Sequence, residues 1–285
     1  MMNKAISFDD LKGKVAVITG GAGVIGSSLA ESLSGLGVIT VILDINEVEA
    51  VKVASAVEAK TGTRSFGVMA NVLDKQSLQE AYGLILSRVG DIDILINGAG
   101  GNHPDATAKL EFASSGQEGD EKDTFYGLDP EAFRKVFDLN FLGTMLPVMV
   151  LTAGMKKRGR GVVLNISSMN AFRPLTRIPA YSAAKASINN FTQWLAVHLA
   201  KAGIRVNAIA PGFFLTYQNR FLLTDKETGE LTERGKKVMA STPMGRFGNP
   251  EELGGTVAYL LSDISAFVTG VVIPVDGGFN AYSGV

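Results

Sequence analysis

The chain has 285 residues, of which 46% are hydrophobic and 33 are glycine, enough to bury a substantial α/β core joined by many tight turns. Its 27 basic and 28 acidic side chains leave a net charge of −1 with no long basic run, which argues against nucleic acid and anionic membrane as partners. Cysteine is absent, so disulfides, thiol nucleophiles and thiolate metal sites are excluded. The two histidines, His103 and His198, match no zinc spacing; no metal site is predicted, although carboxylates leave a magnesium site open.

Residues 1–14 are polar, contain Asp9 and Asp10, and do not read as a signal peptide. The uncharged stretch 139–155 is too short, and too interrupted by Gly and Pro, for a membrane span. A soluble cytoplasmic protein is therefore expected. Apolar runs rich in β-branched residues predict strands at 14–19, 39–43, 65–69, 92–96, 161–166, 205–209 and 271–275. Amphipathic stretches between them predict helices at 24–36, 47–61, 75–89, 130–157, 180–202 and 250–261. Strands this apolar need cover on both faces, and their alternation with helices predicts a Rossmann-like, doubly wound parallel sheet of about seven strands. No compositional step divides residues 1–285, so a single domain is expected. A polar insertion at 101–127 and a charged excursion at 217–247 break the alternation. Both leave carboxyl ends of strands, where ligands bind in open α/β sheets, and both read as either mobile surface or functional lids.

The run Thr19-Gly20-Gly21-Ala22-Gly23-Val24-Ile25-Gly26 joins the first strand to the first helix, and Gly21, Gly23 and Gly26 satisfy G-x-G-x-x-G. Glycines permit the tight turn and let backbone amides approach a pyrophosphate at the helix N-terminus. Asp44 ends the second strand, where a carboxylate accepts hydrogen bonds from adenosine ribose hydroxyls and repels a 2′-phosphate. No Lys or Arg lies between Thr19 and Asn46, so NAD is favoured over NADP. The bland alternative makes Asp44 the N-cap of the next helix.

Tyr181 precedes Lys185 by four residues, one helical turn, which places the two side chains on one face roughly 5–6 Å apart at Cβ. A neighbouring cation favours the phenolate, so Tyr181 is expected to ionise below its usual pKa of ~10 and to serve as an acid/base. With Asn97-Gly98-Ala99-Gly100, Asn140, Ser168 thirteen residues before Tyr181, and Pro211-Gly212, the pattern resembles the short-chain dehydrogenase/reductase family across nearly the whole chain. The resemblance implies a catalytic Asn140, Ser168, Tyr181 and Lys185. Tyr181 would exchange the substrate proton, with Lys185 lowering its pKa and holding the nicotinamide ribose. Ser168 would bind the reacting oxygen, and Asn140 would hold a relay water. It also implies cofactor contacts at Gly20, Gly21, Gly23, Val24, Ile25, Gly26, Asp44, Ile45, Asn71, Val72, Asn97, Ala99, Gly100, Tyr181, Lys185, Pro211, Gly212, Phe214 and Thr216. Bland readings stand beside these: Ser168 as a turn cap, Asn140 satisfying helix backbone.

Three departures from the family pattern concern the cofactor. Val24 replaces a loop glycine, tolerable if its φ stays negative; Asn71 replaces the common aspartate facing adenine; Gly98 replaces a frequent Asn or Ala, with little expected effect. Stretches 97–104, 138–143, 167–172, 210–215 and 275–285 look most like the family's D-mannonate oxidoreductase (fructuronate reductase) members. That implies D-mannonate + NAD ⇌ D-fructuronate + NADH, and a homotetramer built on the helices at 130–157 and 180–202. A sugar acid needs a cation for its carboxylate. The candidates for substrate contact are Asn102, His103, Asn170, Arg173 and Arg220, with Arg246 beside the excursion. For any single arginine a solvated surface charge is the competing reading, for His103 a turn residue before Pro104, and for His198 a structural role. Gluconate 5-dehydrogenase and 3-oxoacyl reductase types share the catalytic set, and a silent dinucleotide sensor is the alternative from another class.

Overall fold

The seven strands pair in the order β3-β2-β1-β4-β5-β6-β7, every neighbour parallel. They are β1 (Val15–Thr19), β2 (Ile39–Asp44), β3 (Ser65–Met69), β4 (Ile94–Asn97), β5 (Gly161–Ile166), β6 (Ile204–Pro211) and β7 (Val272–Val275). The helices are α1 (Val24–Gly35), α2 (Glu47–Thr61), α3 (Lys75–Val89), α4 (Pro130–Leu151), α5 (Ala153–Arg158), α6 (Pro179–Leu199), α7 (Glu233–Ala240) and α8 (Leu253–Leu261). The computed structural model describes residues 6–115, 121–215, 223–225 and 228–284. Thr216 and Arg220 lie outside the described residues.

Alternation along each strand feeds two cores. In β1, Ala16 and Ile18 pack with Leu29 and Leu33 of α1, Ala54 of α2 and Val257 of α8. Val15 and Val17 face the other way, toward Leu78 and Ile85 of α3, Val148 of α4 and Leu195 of α6. Both faces of the sheet are thus covered, as a parallel sheet requires. Because β1 lies between β2 and β4, the sheet grows outward in both directions from it, and the β1–β4 step is its topological switch point. Thr19 pairs with both Leu43 and Asn97, and Asn97 pairs with Asn165, so these strands deliver their loops at one level.

The two longest predicted helices are broken or shortened in the structure. The helix expected over 130–157 divides at Thr152. The Thr152 hydroxyl bonds back to the Val148 carbonyl at 2.7 Å, a contact that bends helices, and Pro147 has already removed one backbone donor. The helix expected over 180–202 ends at Leu199, tightens into a 3₁₀ turn over Ala200–Ala202 and stops at Gly203, whose φ is +66°. The charged excursion contains a helix that periodicity missed, α7, because one short polar turn pair carries little apolar signal. Its N-cap Thr232, accepting from the Gly235 amide at 3.1 Å, was the available sign.

A buried polar ladder ties the sheet to α6. Asn97 Nδ2 donates to Asn165 Oδ1 at 2.9 Å, Asn165 Nδ2 donates to Thr192 Oγ1 at 2.9 Å, and Thr192 Oγ1 donates to the Ile188 carbonyl at 2.8 Å. Asn165 and Thr192 are wholly buried. Asn165→Ala removes the acceptor of Asn97 and the donor to Thr192 and leaves a void. The expected loss is about 2–4 kcal/mol, a fall in Tm of roughly 6–12 °C by calorimetry; an unchanged Tm would show that the ladder does not hold α6 in place.

Candidate active site

Gly23 caps α1 and, lacking a side chain, leaves the first-turn amides without a side-chain acceptor. The loop before it is built by close approach. A Cβ on Gly20 (φ +63°) would lie 2.7 Å from Ala99 Cα, and one on Gly26 would lie 2.5 Å from the Gly20 carbonyl. Val24 does not take a positive φ; among the described residues only glycines do. The Asp44 carboxylate accepts the Ala22 amide at 3.1 Å through one oxygen and the Asn46 amide at 3.1 Å through the other. The cap of α2 is Asn46, which accepts from the Glu49 amide at 3.2 Å, so Asp44 is not that N-cap. An uncapped helix N-terminus over glycines, with a carboxylate at the edge of the loop, has the donor set for a pyrophosphate and the acceptor for a ribose.

Other residues expected at the cofactor distribute unevenly. Thr19 Oγ1 accepts from the amides of Gly98 (3.1 Å) and Ala99 (3.3 Å), clamping the β4 loop over the glycine loop. Gly98 matters more than the sequence implied, because a Cβ there would lie 2.8 Å from the Thr19 carbonyl. Asn97, Val72 and Phe214 are buried; the Asn97 amide belongs to the ladder, Val72 packs in the core, and Phe214 lies against Gly248. Asn71 Oδ1 accepts the Leu73 amide at 2.9 Å, and Ile45 is exposed. Pro211 pairs with Val275, and the Gly212 amide donates to the Val275 carbonyl at 2.9 Å.

The four residues expected to be catalytic converge. The Tyr181 phenol is hydrogen-bonded to Ser168, and Lys185 Nζ stands 5.5 Å from the Tyr181 ring centroid while donating to the Ile166 carbonyl at 2.8 Å. A Cβ built on Gly100 would approach both Asn140 Oδ1 (2.5 Å) and Lys185 Nζ (3.4 Å), so the β4 loop passes between them. Ser168 also caps the turn Met169–Ala171, accepting the Asn170 amide at 3.3 Å. Asn140 donates to the carbonyls of Val136 (2.8 Å) and Gly101 (2.7 Å) and accepts from the Gly101 amide at 3.3 Å. It therefore satisfies helix backbone and pins the loop after Gly100 at once.

The electrostatics differ from the expectation for Tyr181. Burial pushes the phenol above its ordinary value, with the Ser168 bond opposing, so Lys185 does not bring it below 10 in this chain. Burial instead acts on the lysine, holding Lys185 at about 8.

The substrate candidates among the described residues have contacts of their own. His103 Nδ1 accepts the Asp105 amide at 3.2 Å, making it the turn residue before Pro104, and Asn102 Nδ2 donates to Thr107 Oγ1 at 2.8 Å. Arg173 donates to the carbonyls of Phe279 and Tyr282 in the C-terminal tail. Arg246 forms a two-pronged pair with Glu252, both contacts at 2.7 Å. Asn170 is buried two residues past Ser168, its Oδ1 without a partner. His198 stacks on Trp194 with ring centroids 4.8 Å apart.

A cavity of about 350 Å³ opens between Ile178, three residues ahead of Tyr181, and Phe213, directly after Pro211-Gly212; its walls do not include Asn140, Ser168, Tyr181 or Lys185. Both excursions wall it: Glu111 comes from the insertion, and Arg234, Lys237 and Val238 come from α7. Phe279 of the tail packs edge-on against Phe213 at 5.4 Å. Sequence reasoning did not single out Arg177 or Arg234, which both line this cavity. The available signal was the position of Arg177, four residues ahead of Tyr181 as Lys185 is four behind.

A family model described as enoyl-(acyl carrier protein) reductase, adh_short_C2, matches residues 20–280. An uncharacterized oxidoreductase of Bacillus subtilis, UxuB, is 49% identical over 97% of this chain and 98% of its own. A solved structure from Haemophilus influenza with bound NAD, provisionally described as a D-mannonate oxidoreductase, is 48% identical; the match has a TM-score of 0.91 and covers 97% of this chain and 98% of that one. The short-chain dehydrogenase/reductase astE of Aspergillus oryzae is 33% identical over 95% of this chain and 96% of its own. With the glycine loop, the Ser168–Tyr181 bond and Lys185 on one parallel sheet, these matches place the chain in the short-chain dehydrogenase/reductase family of oxidoreductases.

Proposed function

We propose that this oxidoreductase uses NAD to interconvert a secondary hydroxyl and a ketone on a sugar acid, with D-mannonate and D-fructuronate as the pair. The observation that carries the chemistry is the Tyr181 phenol, hydrogen-bonded to Ser168 one helical turn from a buried Lys185. The 48%-identical Haemophilus influenza protein, with its bound NAD, supports the cofactor and the substrate. The amides of the first turn of α1 would hold the pyrophosphate, Asp44 the adenosine ribose, and Lys185 the nicotinamide ribose. NAD, when bound, supplies or removes the hydride.

The protein's own residues manage the proton and the developing charge. A phenol held above its ordinary value keeps its proton, so Tyr181 is placed to give that proton to a ketone oxygen in reduction and to take one from the hydroxyl in oxidation. As that oxygen gathers charge, Ser168 Oγ and the Tyr181 hydroxyl both bind it, an interaction stronger in the transition state than in the ground state. Asn140 holds Gly101, and with it the loop carrying Gly100, against Lys185; its relay water belongs to the proposal. Among the described residues no helix is long and apolar enough to cross a membrane, and a cytoplasmic location is part of the reading. A homotetramer is proposed as well: α6 leaves Trp194 and Val197 58% and 80% exposed, a face suited to burial against a second copy.

The direct test is NADH and NADPH oxidation with D-fructuronate, a panel of other keto-sugar acids and an acetoacetyl thioester. Turnover of the thioester alone would move the chain to the 3-oxoacyl reductases. Tyr181→Phe removes the acid and is expected to lower kcat by 10²–10⁴-fold while the NADH Kd stays within about threefold; near-normal turnover would remove Tyr181 from the mechanism. Asp44→Ala is expected to cut the NADH-over-NADPH preference by at least about tenfold, read as a ratio of kcat/KM values. Lys185 gives a pH signature in stability. Its folded pKa of about 8 lies below the unfolded value of ~10.4, so the burial penalty weighs on the fold below pH 8 and lifts as pH rises from 8 toward 10. Urea unfolding should therefore show Lys185→Met more favoured relative to wild type at pH 7 than at pH 10, by on the order of 2–3 kcal/mol; a constant difference would contradict the depressed lysine.

A further inference from the structure

The cavity between Ile178 and α7 holds more positive charge than its own residues neutralise. Of the carboxylates lining it, Glu111 is paired with Lys237 at 3.1 Å and Glu233 with Lys236 at 2.8 Å. Arg177 and Arg234 line the same cavity, and among the described residues neither guanidinium has an ion pair or a side-chain hydrogen bond. Both side chains reach solvent; partial burial of the Arg234 guanidinium, and then repulsion from Arg177, push the Arg234 pKa down. Arg234 also stands in the first turn of α7, where the helix dipole disfavours a cation. Among the described residues no carboxylate pairs with either guanidinium. An anion placed between them offsets their repulsion and gives both a counter-ion.

We propose that Arg177 and Arg234 bind the carboxylate of the substrate and so select a keto acid over an uncharged ketose. The assignment rests on the sugar-acid reading and adds to it which cations do the selecting. Size and position fit a six-carbon acid. The volume of about 350 Å³ is at the small end of ligand sites. In fructuronate the carboxylate carbon lies four carbon–carbon bonds from the reacting carbonyl, about 5 Å when extended. Arg177 leads into α6 four residues ahead of Tyr181, and Ile178 carries the cavity wall toward the phenol. Glu111 and Glu233 on the wall favour a singly charged carboxylate over a doubly charged phosphate ester. Arg173 and Arg246, the arginines more obvious in the sequence, have their guanidiniums engaged with tail carbonyls and with Glu252.

The test compares kcat/KM with NADH for D-fructuronate, D-fructose and D-fructose 6-phosphate, three ketoses that differ at C6. Wild type is expected to prefer the acid. Arg177→Gln and Arg234→Gln are each expected to lower kcat/KM for fructuronate by roughly ten- to a hundredfold, mostly through KM, with fructose turnover, NADH Kd and Tm little changed. Arg177→Lys should recover part of the loss, and Arg246→Gln should change it less than twofold. An acid-over-fructose ratio that survives both glutamine variants overturns the arginine assignment and leaves the sugar-acid function standing. A wild-type preference for the phosphate ester overturns the carboxylate assignment. Wild-type reduction of uncharged ketones with no keto acid turned over overturns both the inference and the function it rests on.

Discussion

The attachment of α6 to the carboxyl end of β5 is the constraint on which the site depends. Tyr181 and Lys185 ride on the helix, Ser168 follows the strand, and their mutual geometry is only as good as that joint. Polar contacts make it specific: Asn165 to Thr192, Lys185 Nζ to the Ile166 carbonyl, and Ser167 Oγ to Asn189 Oδ1. Apolar packing alone would hold α6 on the sheet yet allow it to slide, since hydrophobic contact is non-directional. Buried hydrogen bonds penalise every register but one, because each unmade bond leaves a desolvated polar group.

The same joint explains the electrostatics of Tyr181 and Lys185. Seating Lys185 Nζ under the Ile166 carbonyl removes the ammonium from water, and the lysine falls to about 8. Tyr181 sits half-buried against Ala106, Ala132 and Val136, and the phenolate is disfavoured there too. Desolvation thus acts on both groups in the direction that removes charge, and it outweighs the attraction expected from their spacing. Toward the cavity, Arg177 and Arg234 have no ion-pair partner among the described residues.

The fold was legible because its signals are local and repeated. Seven β-branched apolar runs separated by helical periods leave few options, and the glycine loop marks the switch point at which the sheet reverses its growth. Tyr181, Lys185 and Ser168 were legible for a related reason: one helical turn and a short loop bring them together. The arginines were not. Arg173 and Arg177 are both exposed and lie four residues apart, and nothing local tells which meets the tail and which faces the cavity. Gly98 was misjudged for the same cause, since its need for a bare Cα comes from the Thr19 carbonyl, 79 residues away in sequence.

By itself the sequence determined the parallel sheet, the helix N-terminus offered to a phosphate, and the residues able to move a proton, because each follows from period, spacing or side-chain chemistry within a few residues. The tertiary structure alone decided the protonation preferences of Tyr181 and Lys185, the anchoring role of Asn140, and the pairing of Arg177 with Arg234. Those properties depend on burial and on through-space charge between segments far apart in the chain, and neither quantity exists until the insertion, α7 and the tail have packed around the end of the sheet.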